Sequence, residues 1–486
     1  MLAREQFTQF IIDTNPAYTA MDRIYLNNRI MALVGDDNHT IAETSDDALA
    51  LLDSLVQTAT VNHVVPDRFT LEELEAELMA LATPAPSAVN ARFWSDYQDS
   101  PEEALKHFYQ LSRANNYIQT RAIAKNTQYT VKTDYGDLEI TINLSKPEKD
   151  PKAIAAAAKA PISSYPLCQL CMTNEGYLGR INYPARGNHR IVRLNLGGRT
   201  WGFQYSPYAY FNEHAIFLDG VHQPMQITPQ TFSNLLELIT LFPEYMVGSN
   251  ADLPIVGGSM LSHDHYQGGL HTFAMAKAPI ERRFDLDAFP EVSAGIVKWP
   301  MSVIRLTSAH RDQLIQAATM IHNHWQQYSD ETADVRAFTD ATPHHTVTPI
   351  ARRVGDDYQI DLVLRDNQTS AEFPDGIFHP HPDVQHIKKE NIGLIEVMGL
   401  AILPARLQTE LQEVRHFLLS EPNQMLAMHR PWAESLQRPG ITADNVDQVI
   451  DAAVGQVFLR VLEDAGVFKR NDVGQAAFDR FTQSLN

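Results

Sequence analysis

The sequence predicts an α+β protein: a mixed sheet core flanked by helices, preceded by a helical N-terminal region. Three observations carry this. Helical periodicity dominates up to about residue 125. After Asn126, apolar residues alternate with polar ones instead. Between residues 191 and 269 the signals then run strand, turn, strand, helix, strand.

Each element has a local reason. Thr70-Leu71-Glu72-Glu73 reads as a capping box, with Leu71, Leu74, Leu78 and Leu81 following at helical spacing. A second helix is expected over Pro101–Ala114, and the region as a whole reads as an accessory packing domain. Leu138, Ile140, Ile142 and Leu144 alternate as a half-buried strand. The charged, proline-punctuated stretch from Ser145 and the alanine-rich run to Ala158 read as a linker. Ile191, Leu194 and Leu196, then Gly197-Gly198, then Trp201, Phe203 and Tyr205, form a hairpin signal. Ala215–Leu218 is a short strand closed by Asp219-Gly220. Thr228-Pro229 opens a helix with Phe232, Leu235, Leu236 and Ile239 on one face. In the second half, Tyr358–Leu364 reads as a strand. Ile392–Leu403 reads as an apolar helix, and Thr409–Leu419 and Asp444–Leu462 as amphipathic helices. The expected organisation is therefore 1–125 helical, 126–290 the half that carries the chemistry, and 291–486 a second half ending in helices.

Composition narrows the function. The chain has 486 residues, 44% of them hydrophobic, enough for a large core in more than one domain. A net charge of -20 argues against an extended nucleic-acid footprint but allows a small nucleotide in a local pocket. No apolar run reaches bilayer length, and the start of the chain lacks a signal-peptide pattern. The only two cysteines form one Cys-x-x-Cys, so a disulfide scaffold is excluded and a cytoplasmic setting is expected.

The most informative stretch runs from Gly257 to Gly269 and contains His263-Asp264-His265-Tyr266-Gln267. If extended, it puts His263, His265 and Gln267 on one side of a strand. A neutral imidazole can attack phosphorus, and a nearby amide can donate to the phosphoryl oxygen. The flanking glycines permit close approach of backbone or ligand. The competing reading is a strand whose histidines are hydrogen-bonded in a core. Cys168-Gln169-Leu170-Cys171 has the spacing of a metal clip. A redox pair or two bystander thiols are the alternatives. A structural zinc needs two more ligands, for which His222 and His263 are candidates, with His214 and His189 as rivals.

These motifs resemble those of the class II, Firmicutes-type UDP-glucose–hexose-1-phosphate uridylyltransferases of the histidine-triad superfamily. The specific part runs from Tyr165-Pro166-Leu167-Cys168 to Gly269, and the likeness extends over most of the chain. The resemblance implies a histidine-triad-like mixed or antiparallel sheet. It implies His265 as a nucleophile forming a uridylyl-histidine, Gln267 as the group steadying phosphoryl oxygens, and His263 as a structural metal ligand. The better-known class I motif has Pro and Gly where this chain has Asp264 and Tyr266; Asp264 either orients a histidine or faces solvent. The resemblance further suggests uridine and phosphate contacts at Asn250, Gly258, Ser259 and Ser262, with Arg121, Asn174 and Arg180 as additional candidates. Lys389 and Glu396 sit where class I enzymes read the sugar, although Glu396 follows Gly393 by three residues rather than two.

Class I enzymes also carry a second metal site of one Glu and three His. Glu281 and His345 match part of it. The remaining pair falls either on residues 358–363, where both histidines are missing, or on His379-Pro380-His381 in a proline-rich loop. The first alignment is preferred, so no intact second site is expected, and His379 and His381 read as solvated. The implied reaction exchanges a uridylyl group between UDP-glucose and galactose 1-phosphate. The expected partners are UDP-glucose, UDP-galactose and hexose 1-phosphates, with no nucleic acid and no membrane; a homodimer is the candidate assembly. Zinc is the candidate cofactor, with no organic cofactor expected. The alternatives are a histidine-triad nucleotide hydrolase or dinucleotide phosphorylase, a metallohydrolase using His263, Asp264 and His265 as ligands, and a non-catalytic UDP-sugar-binding protein.

Overall fold

The computed structural model of the protein describes residues 2–36, 47–145, 164–180, 183–258 and 260–486. The expected linker, after Ser145, lies outside these residues, as does Ser259. The described strands are β1 (Thr127–Thr133), β2 (Gly136–Ile142), β3 (Val192–Leu196), β4 (Arg199–Tyr205), β5 (Ala215–Asp219), β6 (Met246–Ser249), β7 (His265–Gly269), β8 (Ile280–Phe284), β9 (Ser293–Val297), β10 (Val303–Ser308), β11 (Phe338–Thr339), β12 (Thr342–Pro343), β13 (His345–Val354), β14 (Asp357–Asp366) and β15 (Leu400–Leu403). With the helices they make the expected α+β fold. No helix among the described residues is long and apolar enough to cross a membrane.

The chain divides into two compact units, interleaved along the sequence. The first comprises Met1–Arg121, Lys146–Ala209 and Ala215–His222. Its helices Ala3–Thr14, Arg23–Val34, Ala48–Val61 and Leu71–Ala82 bury a common core around Phe7, Leu26, Leu52, Leu74 and Leu78. Each fully buried leucine contributes about 2 kcal/mol. The Thr70 capping box forms: Thr70 N–H donates to Glu73 Oε2 at 2.8 Å, and Glu73 N–H to Thr70 Oγ1 at 3.2 Å. Leu71 of the expected stripe is exposed, while Leu74 and Leu78 are buried. The Pro101–Ala114 helix is present as expected. β3, β4 and β5 form an antiparallel meander, with Leu196 paired to Arg199 across Gly197 and Gly198. Both glycines have positive φ (57° and 76°), the backbone that a two-residue hairpin of this hand requires.

The second unit comprises Ala122–Ser145, Tyr210–His214 and Gln223–Asn486. Here β1 and β2 pair antiparallel and β15 joins β2 in parallel. A longer antiparallel run follows the order β7-β6-β13-β14-β10-β9-β8. The Pro229–Leu241 helix buries Phe232, Leu235, Leu236 and Ile239, the face anticipated from its spacing. The amphipathic helices at Leu407–Leu418 and Val446–Ala465 are present too.

Ile392–Leu403 departs from expectation. It is one short helix, Leu394–Val397, followed by β15. Gly399 separates them at φ +107°, and a Cβ there would stand 3.1 Å from Trp299 and 3.2 Å from Ala274. The apolar run did not distinguish helix from strand; the parallel partner on β2 decided it.

Candidate active site

β6 sets Gly248 opposite Gln267 and Ser249 opposite Tyr266. Directly opposed residues share a sheet face, so His265 and Gln267 lie on the face of Gly248 and Tyr266 on the other. Tyr266 is buried there, its hydroxyl accepting from Asn234 Nδ2 at 3.1 Å. Gly268 and Gly269 let the chain pack this tightly. A Cβ on Gly268 would stand 2.5 Å from the Met246 carbonyl oxygen, and one on Gly269 2.4 Å from that of Glu213.

His263, expected on the same strand face, lies before the strand. Asp264 N–H donates to the Gln223 carbonyl at 2.8 Å, and Met225 N–H to the Leu261 carbonyl at 2.9 Å. These bonds take residues 261–264 off the β6 ladder, so the two-residue alternation starts only at His265. Asp264 is half-buried rather than fully solvated.

His265 is buried, with Nδ1 2.8 Å from the His263 carbonyl oxygen. A carbonyl only accepts, so Nδ1 carries the proton and Nε2 presents its lone pair. Burial pushes the ring down to about 4, outweighing the bond to the His263 carbonyl, which favours the charged form. The imidazole is therefore neutral at ordinary pH, as a nucleophile must be. Two residues on, half-buried Gln267 places Oε1 2.9 Å from His214 Nε2.

Cys168, Cys171, His222 and His263 each offer one ligand atom, and these atoms all lie within 4.8 Å of one another. Cys168 Sγ and Cys171 Sγ are 3.6 Å apart, and Cys171 Sγ is 3.2 Å from His222 Nδ1. Zn–S bonds of about 2.3 Å and Zn–N bonds of about 2.0 Å in a tetrahedron give edges close to these. The donor set thus fits a metal ion, and among the described residues it is the group of this kind that forms. The rivals are placed otherwise: His214 is on Gln267, and His189 stacks on Tyr117 at 4.4 Å.

Asn250 follows β6 and is buried, its Oδ1 accepting Leu394 N–H at 2.9 Å. Gly258 packs on it: a Cβ at 258 would lie 2.8 Å from Asn250 Nδ2. Leu394 also fills the space over Gly248, where an added Cβ would be 2.7 Å from its Cδ1. The Leu394–Val397 turn is thereby held over the face that carries Gln267. On that turn Glu396 is buried. Its Oε1 accepts from Lys388 Nζ at 3.0 Å and its Oε2 from Gly393 N–H at 3.2 Å. Lys389, the lysine singled out by its position, is exposed; the buried partner of Glu396 is its neighbour Lys388. Ser262 is exposed, with its hydroxyl 3.9 Å from Met260 Sδ.

Residues 16–224 match the sequence model of the galactose-1-phosphate uridyl transferase N-terminal domain, and residues 238–434 that of its C-terminal domain. The chain belongs to this family. It is 64% identical to a galactose-1-phosphate uridylyltransferase of Lactiplantibacillus plantarum, over all of both chains. It is 57% identical to the enzyme of that name from Enterococcus faecalis, over 99% of this chain and 97% of the other. Among solved structures, a yeast Ap4A phosphorylase matches at a TM-score of 0.35 and 12% identity, covering 65% of this chain and 94% of that one.

The remaining candidates sit in local networks. Arg121 makes a two-pronged pair with Asp53, at 2.6 and 3.0 Å. Asn174 is buried, its Nδ2 donating to the carbonyls of Cys168 and Cys171 at 2.8 and 2.7 Å while Tyr183 donates to its Oδ1 at 2.9 Å. It thereby braces the turn that presents the two thiols. Arg180 donates to the Tyr165 carbonyl at 2.7 Å and lies over the Tyr183 ring. The residues considered for a second metal site are also engaged. Glu281 is paired with Arg470 at 2.8 and 2.7 Å, and His345 with Asp366 at 3.0 Å. His379, expected to be solvated, is buried; His381 is half-buried and stacks on Phe373.

Proposed function

We propose that the protein exchanges a uridylyl group between UDP-glucose and galactose 1-phosphate through a covalent uridylyl-His265. The observation that carries the reading is the state of His265: a buried, neutral ring with Nδ1 tied to a carbonyl and Nε2 free to attack. Membership of a family whose relatives are named for this transfer supports it. Nε2 attacks the α-phosphorus of UDP-glucose, the bond from phosphorus to the bridging oxygen breaks, and glucose 1-phosphate leaves. A phosphate oxygen of galactose 1-phosphate then attacks the same phosphorus. The P–N bond breaks, returning the electron pair to Nε2 and giving UDP-galactose. Bonds of similar kind are exchanged, so no outside energy source is needed. Gln267 donates an amide N–H to a phosphoryl oxygen as charge builds there.

On this reading residues 126–290 carry the chemistry. Asn250, Gly258, Ser259 and Ser262 contact uridine or phosphate, with Arg121, Asn174 and Arg180 in supporting roles. Glu396 and Lys389 serve the hexose. Cys168, Cys171, His222 and His263 would hold a structural zinc, which would fix His263 and with it the carbonyl that meets His265 Nδ1. Paired thiols of this kind suit the reducing cytoplasm.

The test is to incubate the protein with UDP-glucose carrying ³²P in the α-phosphate and to map acid-labile label after rapid quenching. Label on His265 that transfers to galactose 1-phosphate is expected. Turnover without any labelled histidine would defeat the reading.

A further inference from the structure

We propose that His214 is the positioning residue for Gln267, holding the amide so that its N–H pair and not its oxygen faces the reacting phosphoryl group. The inference rests on the reading of His265 as the nucleophile. An amide at the end of a flexible side chain presents either end at little cost, and the two ends act oppositely on an anion. The N–H pair stabilises the charge that builds on phosphorus-bound oxygen; the carbonyl oxygen repels it. Something must therefore choose the end.

His214 Nε2 is 2.9 Å from Gln267 Oε1. The ring is buried, with Phe211 at 4.5 Å and 30° and Tyr210 at 5.7 Å, and Nδ1 has no hydrogen-bond partner among the described residues. Placing the proton on Nδ1 would bury an N–H against aromatic carbon with nothing to receive it. The proton on Nε2 leaves only a lone pair there and makes a good bond to Oε1. Burial also pushes the ring down to about 4, so it has one N–H to give and no second tautomer-independent donor. With Oε1 occupied, the Gln267 N–H pair is what remains for a ligand.

The backbone fixes where that donor stands. Leu270 N–H donates to the Asn212 carbonyl at 3.2 Å, tying the residues before His214 to the end of β7. Glu213 turns the chain at φ 53°, its carboxylate accepts from the Tyr245 hydroxyl at 2.5 Å, and its carbonyl lies where Gly269 has no side chain. His214 is thus referenced to the same strand as the group it orients.

The experiment measures single-turnover transfer of labelled uridylyl from UDP-glucose to the protein in His214→Phe, which keeps an aromatic ring against Phe211 and deletes the donor. The expected result is a slowing of about 30-fold, short of the 10²–10³-fold cost of losing a donor outright, with a much smaller change in KM. His214→Gln, which retains an N–H, should recover most of the rate. A merely structural role would not produce coupling, so the pair is tested in one cycle. His214→Phe added to Gln267→Ala should slow transfer no further than Gln267→Ala alone. A native rate in His214→Phe, or losses that multiply in the double variant, would overturn the proposal. If phenylalanine does not fit and the variant fails to fold, His214→Leu is read in the same way. A native protein that never labels His265 would instead defeat the proposed function, and native labelling with an unaffected His214→Phe would defeat this inference alone.

Discussion

Two histidines open two strands of the second unit, and they are wired differently. His265 begins β7 and His345 begins β13; they are 5% and 2% exposed. His345 has Nδ1 2.8 Å from the Trp325 carbonyl and Nε2 3.0 Å from Asp366, with its ring stacked on the Trp325 indole at 3.8 Å and 6°. Both nitrogens are spoken for. His265 has one nitrogen on a carbonyl and the other free. The surroundings follow suit. Around β13 and β14, charge is met by charge: Asp361 accepts from Arg305 at 2.7 and 2.9 Å and from Arg352 at 2.8 Å. On β7 the His265 ring meets a carbonyl and the Gln267 amide meets the His214 ring, neutral groups both. Burial alone therefore does not separate these two strand-opening histidines; what separates them is that His345 has both nitrogens bonded and His265 only one.

The largest expected effect breaks this contrast directly. His265→Ala should slow uridylyl exchange by about 10⁶-fold, the scale seen when a covalent nucleophile is removed, with little change in melting temperature. His345→Asn should show the reverse, a lower melting temperature with full labelling of His265. Equal loss of labelling in both variants would erase the distinction. On the proposed reading His263 is a third case, a histidine that would hold a metal rather than react. Cys168→Ser should lower bound zinc, measured by atomic absorption from about one per chain, and should lower thermal stability by several kcal/mol at the same time. Metal-free native protein of undiminished stability would remove zinc from the account.

Asp361→Asn tests the charged region. It leaves the buried Arg305 and the half-buried Arg352 guanidinium groups facing a neutral amide, so unfolding free energy should fall by about 3 kcal/mol while label transfer per folded molecule holds. Chemical denaturation and labelling on the same preparation check both halves. Gln267→Glu probes the neutral region. It replaces a donor by acceptors facing an anion and should raise the barrier by about 3 kcal/mol in both half-reactions with little loss of stability. Full transfer in a destabilised protein would make Gln267 a packing residue instead.

The smallest effect is in pH. Burial raises the Asp361 carboxyl, but Arg352 and Arg305 together outweigh it and hold the group below its ordinary value. A depressed carboxylate contributes stability that is complete above the unfolded value, about 3.9, and is lost as pH falls through the lower folded one. Native protein should therefore lose more stability than Asp361→Asn on acidification below about pH 4. Parallel acid-unfolding curves for the two would show that the ion pair is not coupled to protonation.

Much of the fold was legible in order along the chain because its signals are local. A capping box spans four residues, a hairpin turn two glycines, a half-buried strand a two-residue alternation, and a metal clip one Cys-x-x-Cys. Thr70, Gly197-Gly198 and Leu138–Ile142 all behaved as their immediate neighbours dictated, while the two thiols find their candidate co-ligands only at His222 and His263. The apolar run at Ile392–Leu403 did not, because helix and buried strand look alike until a partner strand is present.

The sequence by itself determined the chemistry available: an imidazole, an amide two residues on, and a set of thiol and imidazole ligands. Tertiary structure decided how each group is used. His263 left the strand because residues 223–225 claimed its neighbours' backbone. Glu396 took Lys388 rather than Lys389, and Glu281 met Arg470 189 residues away. Gln267 found His214 53 residues earlier. Such pairings carry no period and no spacing. A hydrogen bond is set by distance and direction in space, and which lone pair stays free is known only after every neighbour has been placed.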